Sequence, residues 1–134
     1  MTAEADLGRL LAGLRPELRP GTDVFVTLDE AAVPAGLAPA VMPFLEAEGT
    51  TLILAEAEAA RAGLPAAFPC RSITLAVHSA LAAIGFLAAV TARLAAEGIA
   101  VNAVSAFHHD HLFVPVARAE EATAVLRALS GSTS

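Results

Sequence analysis

The chain has 134 residues, 56% of them hydrophobic and 16% charged, enough to bury the core of one ordinary domain or of two small ones. Its net charge of −6, with no basic run, argues against nucleic acid or an anionic membrane as a partner, because both need clustered positive charge. Lysine is absent, which excludes a Schiff-base enzyme, a pyridoxal lysine and a phosphate-binding loop with its obligatory lysine.

The opening residues Met1–Asp6 lack the basic start of a signal peptide, so none is expected. Asp6 is placed to cap a first helix, on which Leu7, Leu10, Leu11 and Leu14 form an apolar stripe. Pro16 stops that helix, and Pro16–Gly21 is expected as a turn. Thr22–Leu28 alternates, with Val24, Val26 and Leu28 on one face, and predicts a strand. Asp29–Pro43, carrying Pro34, Gly36, Pro39 and Pro43, is expected as loop. Val41–Ala47 and Thr50–Ala55 flank Glu48-Gly49 as a hairpin. Glu56–Ala62 predicts a brief helix ending at Gly63, and Leu64–Cys70, with Pro65 and Pro69, a linker.

Arg71–Val77 alternates as a strand up to His78-Ser79. A helical pattern follows, with Leu81, Ile84, Leu87, Val90 and Leu94 on one face and Phe86, Arg93 and Glu97 opposite. Phe86, outside that stripe, is expected to need cover from the N-terminal part, a second subunit or a ligand. No charged residue lies between Arg71 and Arg93, a window long enough to span a bilayer. The change of period at His78-Ser79 and the dominance of alanine over leucine argue against a transmembrane helix. Gly98 ends the helix. Ile99–Phe107 and Leu112–Val116 are expected as an antiparallel pair around His108-His109-Asp110-His111. Arg118–Leu129 predicts a last helix with stripe Ala122, Val125, Leu126 and Leu129, Glu120 and Glu121 suiting its N-terminus, and Gly131–Ser134 a frayed tail.

Few residues carry chemistry. The cluster His108–His111 has the side chains of a transition-metal site, but strand neighbours face opposite ways. His109 and His111 would share one face, with His108 and Asp110 on the other, and the plainer reading is a polar hairpin connection with Asp110 in an Asx turn. His78 is the only other histidine. Ser79 beside it either caps the next helix or leaves that helix's free N–H groups to a small anion. Gly85 inside a helical pattern suggests either that the helix starts there, with close backbone approach to a ligand, or ordinary helix–sheet packing. Asn102, the only Asn or Gln in the chain, needs a partner if buried and otherwise faces solvent. The lone Cys70 cannot form an internal disulfide, which fits a cytoplasmic location, and reads as a small buried hydrophobe at a strand start.

The run Ile73–Leu129 resembles an ACT domain, the small-molecule-sensing βαββαβ module. The apolar strand, the Gly85-centred turn into a helix, ARLAAEGIAVNAVSA and DHLFVPV carry the resemblance, and the junction Glu97-Gly98-Ile99-Ala100-Val101 is its most specific part. The whole chain is similar to short bacterial proteins in which a second, degenerate ACT-like half comes first, their segments matching Glu46–Leu54 and His109–Pro115. The resemblance implies an α+β, ferredoxin-like fold with an N-terminal half at 1–66 and a C-terminal ACT domain at 67–134. It implies a non-catalytic, amino-acid-binding regulatory domain without a cofactor, acting as a homodimeric free-standing sensor or as an adaptor for a regulated protein. Carried onto this chain, the binding positions are His78, Ser79, Ile84, Gly85 and Phe86, with Asn102, Val104 and Ser105 facing them. Where typical ACT loops have an acidic residue and a Pro-Gly turn, this chain has Ile84-Gly85. The alternatives are a small metal-binding protein or enzyme using the His108–His111 cluster, in which His109, Asp110 and His111 are the secondary candidate residues, and a purely structural interaction module.

Overall fold

The computed structural model describes residues 3–29 and 41–132. The elements in chain order are α1 (Leu7–Gly13), β1 (Pro16–Leu18), β2 (Asp23–Leu28), β3 (Met42–Glu46), β4 (Gly49–Ala55), α2 (Glu56–Arg61), β5 (Ala67–Leu75), α3 (Phe86–Ala96), β6 (Asn102–Ser105), β7 (Asp110–Pro115) and α4 (Ala119–Ser132). They form two compact units, Gly21–Cys70, and Met1–Pro20 with Arg71–Ser134. One division, after Ala66, is expected from the sequence; these units are divided after Pro20 and inside β5.

In the unit Gly21–Cys70 the strands run β3-β4-β2-β5. Val24 and Val26 lie opposite Leu54 and Leu52 across the β2–β4 ladder, and these four pack with Ala59 of α2 into one apolar cluster. The alternation in β2 therefore does what its period predicts. The β3–β4 hairpin turns at Ala47-Glu48, one residue before the expected pair, because Glu46 stands opposite Gly49. The expected loop Asp29–Pro43 falls mostly outside the described residues, while Met42 and Pro43 belong to β3. The linker expected at Leu64–Cys70 needs correcting, since 67–70 pair with β2. The register shifts there, and Phe68 takes a left-handed φ of 56°. Such an irregularity is where a sheet accepts a residue without an N–H, here Pro69.

In the other unit the strands run β1-β5-β7-β6. Leu10 and Leu14 of α1, Phe86, Val90 and Leu94 of α3, and Ala122 and Leu126 of α4 cover Ile73, Leu75, Leu112 and Val114 of the sheet. Asp6 caps α1, its carboxylate accepting the N–H of Arg9 at 2.9 Å. Pro16–Leu18 is a strand and not the expected turn; Pro16, Glu17 and Leu18 face Leu75, Thr74 and Ile73. A proline is tolerated at a strand's first position. Following the chain from β5 through α3, β6, β7 and α4, β1 takes the last strand's place. Both units then share the strand order of a ferredoxin-like βαββαβ module, the α+β class expected from the sequence.

Helix α3 starts later than predicted, at Phe86, with Gly85 as its N-cap residue, and this changes its buried face. Phe86, Val90 and Leu94 are spaced by four and buried, whereas Leu81 is 69% and Ile84 86% exposed. Phe86, expected off the stripe, is 3% exposed and belongs to the core. At the other end, Gly98 N–H reaches Ala95 O and Ile99 N–H reaches Leu94 O, at 2.9 and 3.0 Å, closing the helix with Ile99 turned into the core. The Arg118 guanidinium donates to the carbonyls of Glu97 and Gly98 at 3.0 and 3.4 Å. Strand β6 is shorter than expected, and Asp110 and His111 belong to β7 instead of the connection. No helix among the described residues is long and apolar enough to cross a membrane.

Candidate functional site

Between the end of β5 and the start of α3 the chain makes no regular element, and its backbone is held from outside. Glu4 N–H donates to His78 O at 2.8 Å and Ala80 N–H to Glu4 O at 2.7 Å. Ser79 is thereby anchored beside the N-terminal segment, as a bridge partner of Glu4, and does not cap a helix. Ala83 N–H closes a turn on Ala80 O at 3.0 Å. Gly85 then takes φ 90°, ψ −10°, a left-handed conformation that favours glycine and redirects the chain into α3. No side chain caps α3, and its first turn holds no acidic residue. The first N–H groups of a helix have no partner within it, so this end presents donors and a positive dipole end.

These elements and the β6–β7 hairpin enclose a small cavity of about 80 Å³. Ser79, Ala80, Leu81 and Ala83 form one wall, Phe86 and Leu87 of α3 another, and Ser105, Ala106 and Asp110 of the hairpin the third. The hairpin is held by Ala106 N–H to His109 O at 3.0 Å. Asp110 is 8% exposed, and the Ser79 hydroxyl donates to its Oδ2 at 3.4 Å.

The cavity thus brings together Ser79, Phe86 and Ser105 of the candidate binding residues. Gly85 adjoins it as the N-cap of α3. His78 is half-buried nearby, its ring 5.7 Å from that of His108. Ile84 points to solvent, Asn102 is exposed at the start of β6, and Val104 lies opposite His111; none of the three lines the cavity. Asp110, expected from the sequence in an Asx turn of a polar hairpin connection, is among the cavity's polar groups. Leu87, Ala83, Ala106 and the supporting Glu4 were missed. The first three carry no local signal beyond being apolar, and Glu4 acts through a pairing with residues far away in sequence.

The histidine cluster divides as strand geometry requires. His109 and His111 share a side, their rings 6.4 Å apart. His111 Nδ1 lies 3.1 Å from the Thr74 hydroxyl. Burial, then the neighbouring His109 and Arg19, push the His111 pKa below its ordinary 6.5, against the opposing pull of Asp110. Among the described residues no group of three or more His, Cys, Asp or Glu side chains is placed to hold a metal, so a metal centre here lacks a ligand set. Cys70 is buried in the course of β5, its thiol directed at Asp23 O at 3.3 Å and pushed up to about 12 by burial and then by Asp23.

Comparison with known proteins agrees with this architecture. The ACT domain family is matched twice, by models covering residues 2–71 and 67–128. No curated protein matches the chain. Among solved structures, a Vibrio cholerae protein of unknown function, described as a possible transport protein, is 35% identical, with a TM-score of 0.82 over 92% of this chain and 95% of that one. An Agrobacterium tumefaciens protein is 17% identical, with a TM-score of 0.72 over 87% and 89% of the two chains. The regulatory subunit of aspartate kinase from Thermus flavus is 11% identical, with a TM-score of 0.62 over 86% and 96%. The last two likenesses concern the fold alone.

Proposed function

The chain belongs to the ACT domain family, and from that premise we propose that it is a non-catalytic regulatory protein binding a small metabolite, most simply an amino acid. The observation that carries this reading is the polar cavity at the junction of β5 and α3. There the start of an uncapped helix lines the same cavity as the half-buried Ser79 hydroxyl and the buried Asp110. Nothing in that cavity activates a nucleophile: the Ser79 hydroxyl is spent on Asp110, and among the described residues no histidine hydrogen-bonds to it. Bound ligand would stabilise one arrangement of the protein over another, by no more than its difference in affinity for the two. A homodimer fits the edge strand β3, which exposes Phe44 and Leu45. A cytoplasmic setting fits the single free thiol. Sensor and adaptor remain the two roles, and a regulated protein is the partner such a role requires.

A thermal-shift screen of the purified chain against the amino acids and common nucleotides tests the proposal. One amino acid or a small set of them should raise Tm, as ligand binding to the native state alone must. Gly85→Asp, which puts a carboxylate against the α3 donors, should abolish the shift. A flat screen would overturn the binding role and leave a purely structural module.

A further inference from the structure

Apart from histidine, all side-chain positive charge in this chain sits on eight arginines, and most of them are already engaged. Arg9, Arg61, Arg93 and Arg118 each pair with a glutamate. Arg71 donates to the carbonyl of Arg19 at 3.0 Å. Arg15 and Arg127 differ from these. Both are exposed, and among the described residues neither has a carboxylate at ion-pair distance.

The two come from separate elements yet line one cleft of about 330 Å³, together with Leu14, Pro16 and Ser130. Arg15 sits in the corner between α1 and β1, and Arg127 lies on α4 on the same face as Ser130. The Ser130 hydroxyl donates to Ala12 O at 3.4 Å, which ties α4 to the end of α1 and holds the two walls together. Leu14 and Pro16 are buried and give the cleft an apolar base. Glu17, the acidic residue nearest to Arg15 in sequence after the turn, is exposed and alternates to the side of β1 away from Pro16.

Two like charges lining one cleft repel each other, and an anion between them turns that repulsion into attraction. The chain as a whole carries −6, so no general basic field accounts for the pair. A guanidinium presents its N–H donors in a planar fork that matches the oxygens of a carboxylate or a phosphate. A carboxylate has two oxygens, enough for one fork, whereas a phosphate monoester has three terminal oxygens and can engage both. At about 330 Å³ the cleft lies at the lower end of small-molecule sites, which run from roughly 300 to 1,000 Å³.

We propose that this cleft binds the phosphate group of a small molecule, with Arg15 and Arg127 as its two clamps. It shares no lining residue with the cavity between β5 and α3, so it stands apart from the amino-acid role. Free phosphate and a small phosphate monoester share the chemistry, and the experiment separates them.

Titration calorimetry on the full chain at low ionic strength tests the site, with inorganic phosphate and glycerol 3-phosphate as probes. At least one of them should bind with a Kd below about 1 mM. Arg15→Gln and Arg127→Gln should each weaken that binding by about tenfold or more. Arg93→Gln, which removes the same charge from α3, should change it by less than about threefold. Arg15 and Arg127 are exposed, so both cleft variants should keep the Tm of the unaltered chain; if one does not, the other carries the test. Tighter binding of glycerol 3-phosphate supports the site with an ester as its ligand, and equal or weaker binding supports it with free phosphate. Binding of neither probe overturns it. So does unchanged affinity in the cleft variants, or a loss in Arg93→Gln as large as theirs.

Discussion

Gly49 opens β4 at φ 145°, and a Cβ built there would meet Leu28 O at 2.2 Å. The obstacle is backbone and cannot swing aside. Gly49→Ala should therefore cost on the order of 2–3 kcal/mol, read as a lowered midpoint in urea. Gly21 supplies the contrast: its φ of 89° is also left-handed, but nothing lies within 4 Å of the added atom. Gly21→Ala should cost only the conformational penalty, about 1–2 kcal/mol. His111 supplies a different kind of test. Its folded-state pKa lies below the ordinary 6.5, with burial the largest cause. Just below that value the unfolded chain binds more protons than the folded one, so stability is fully present above it and falls as pH drops through this window. Denaturation midpoints should decline as pH falls below the ordinary 6.5 of the unfolded histidine, and His111→Gln should flatten part of that decline. Cys70, with its thiol at about 12, should resist alkylation in the folded chain and react only on unfolding.

Helix α3 shows how one misplaced start alters a whole face. Counting from Ser79, the apolar positions at 81, 84 and 87 form a plausible stripe. Counting from Phe86, the buried set is Phe86, Val90 and Leu94. Both patterns are present because nearly every residue from Ala80 to Val90 is apolar, so hydrophobicity cannot fix the phase. Gly85, whose left-handed turn interrupts the helix, does. Leu94→Ala should accordingly cost about 2–5 kcal/mol, as for other buried leucines. Leu81→Ala and Ile84→Ala should each change unfolding free energy by less than about 0.5 kcal/mol. Equal losses at Ile84 and Leu94 would restore the longer helix. The hairpin β6–β7 follows the same logic. Period two was legible in His108–His111, and it separates Asp110 from His109 and His111. The extent of β7 was not legible, because Asp110 is strand only through its partner Ser105.

For the molecule as a whole, the consequential feature is that one unit is built from both ends of the chain. Residues 1–20 supply α1 and β1, whose Leu10 and Leu14 belong to the core formed with α3 and α4. A fragment of residues 67–134 would expose that core and leave β5 without its β1 partner. It should remain largely unfolded by circular dichroism, and a peptide of residues 1–20 added in trans should restore helix and thermal cooperativity. Independent folding of the fragment would show that the N-terminal segment is only an accessory. The same segment supports the candidate site, since Glu4 holds the backbone of His78 and Ala80. Loss of residues 1–20 should therefore remove ligand binding as well as stability.

The succession strand, helix, strand, turn, strand from Ile73 to Val116 was readable because each step rests on local periodicity or on a local signal such as Glu97-Gly98. So were the Asp6 cap, the β3–β4 hairpin, the α4 stripe and the likeness to an ACT domain. The strands Pro16–Leu18 and 67–70 were hidden behind prolines, whose local preference is for turns. They exist because a sheet edge far away in sequence pairs with them. The site was half readable for the same reason. Ser79 and Gly85 sit at a junction that periodicity marks, but the burial of Asp110 depends on which chains close around it, and long-range packing alone sets that.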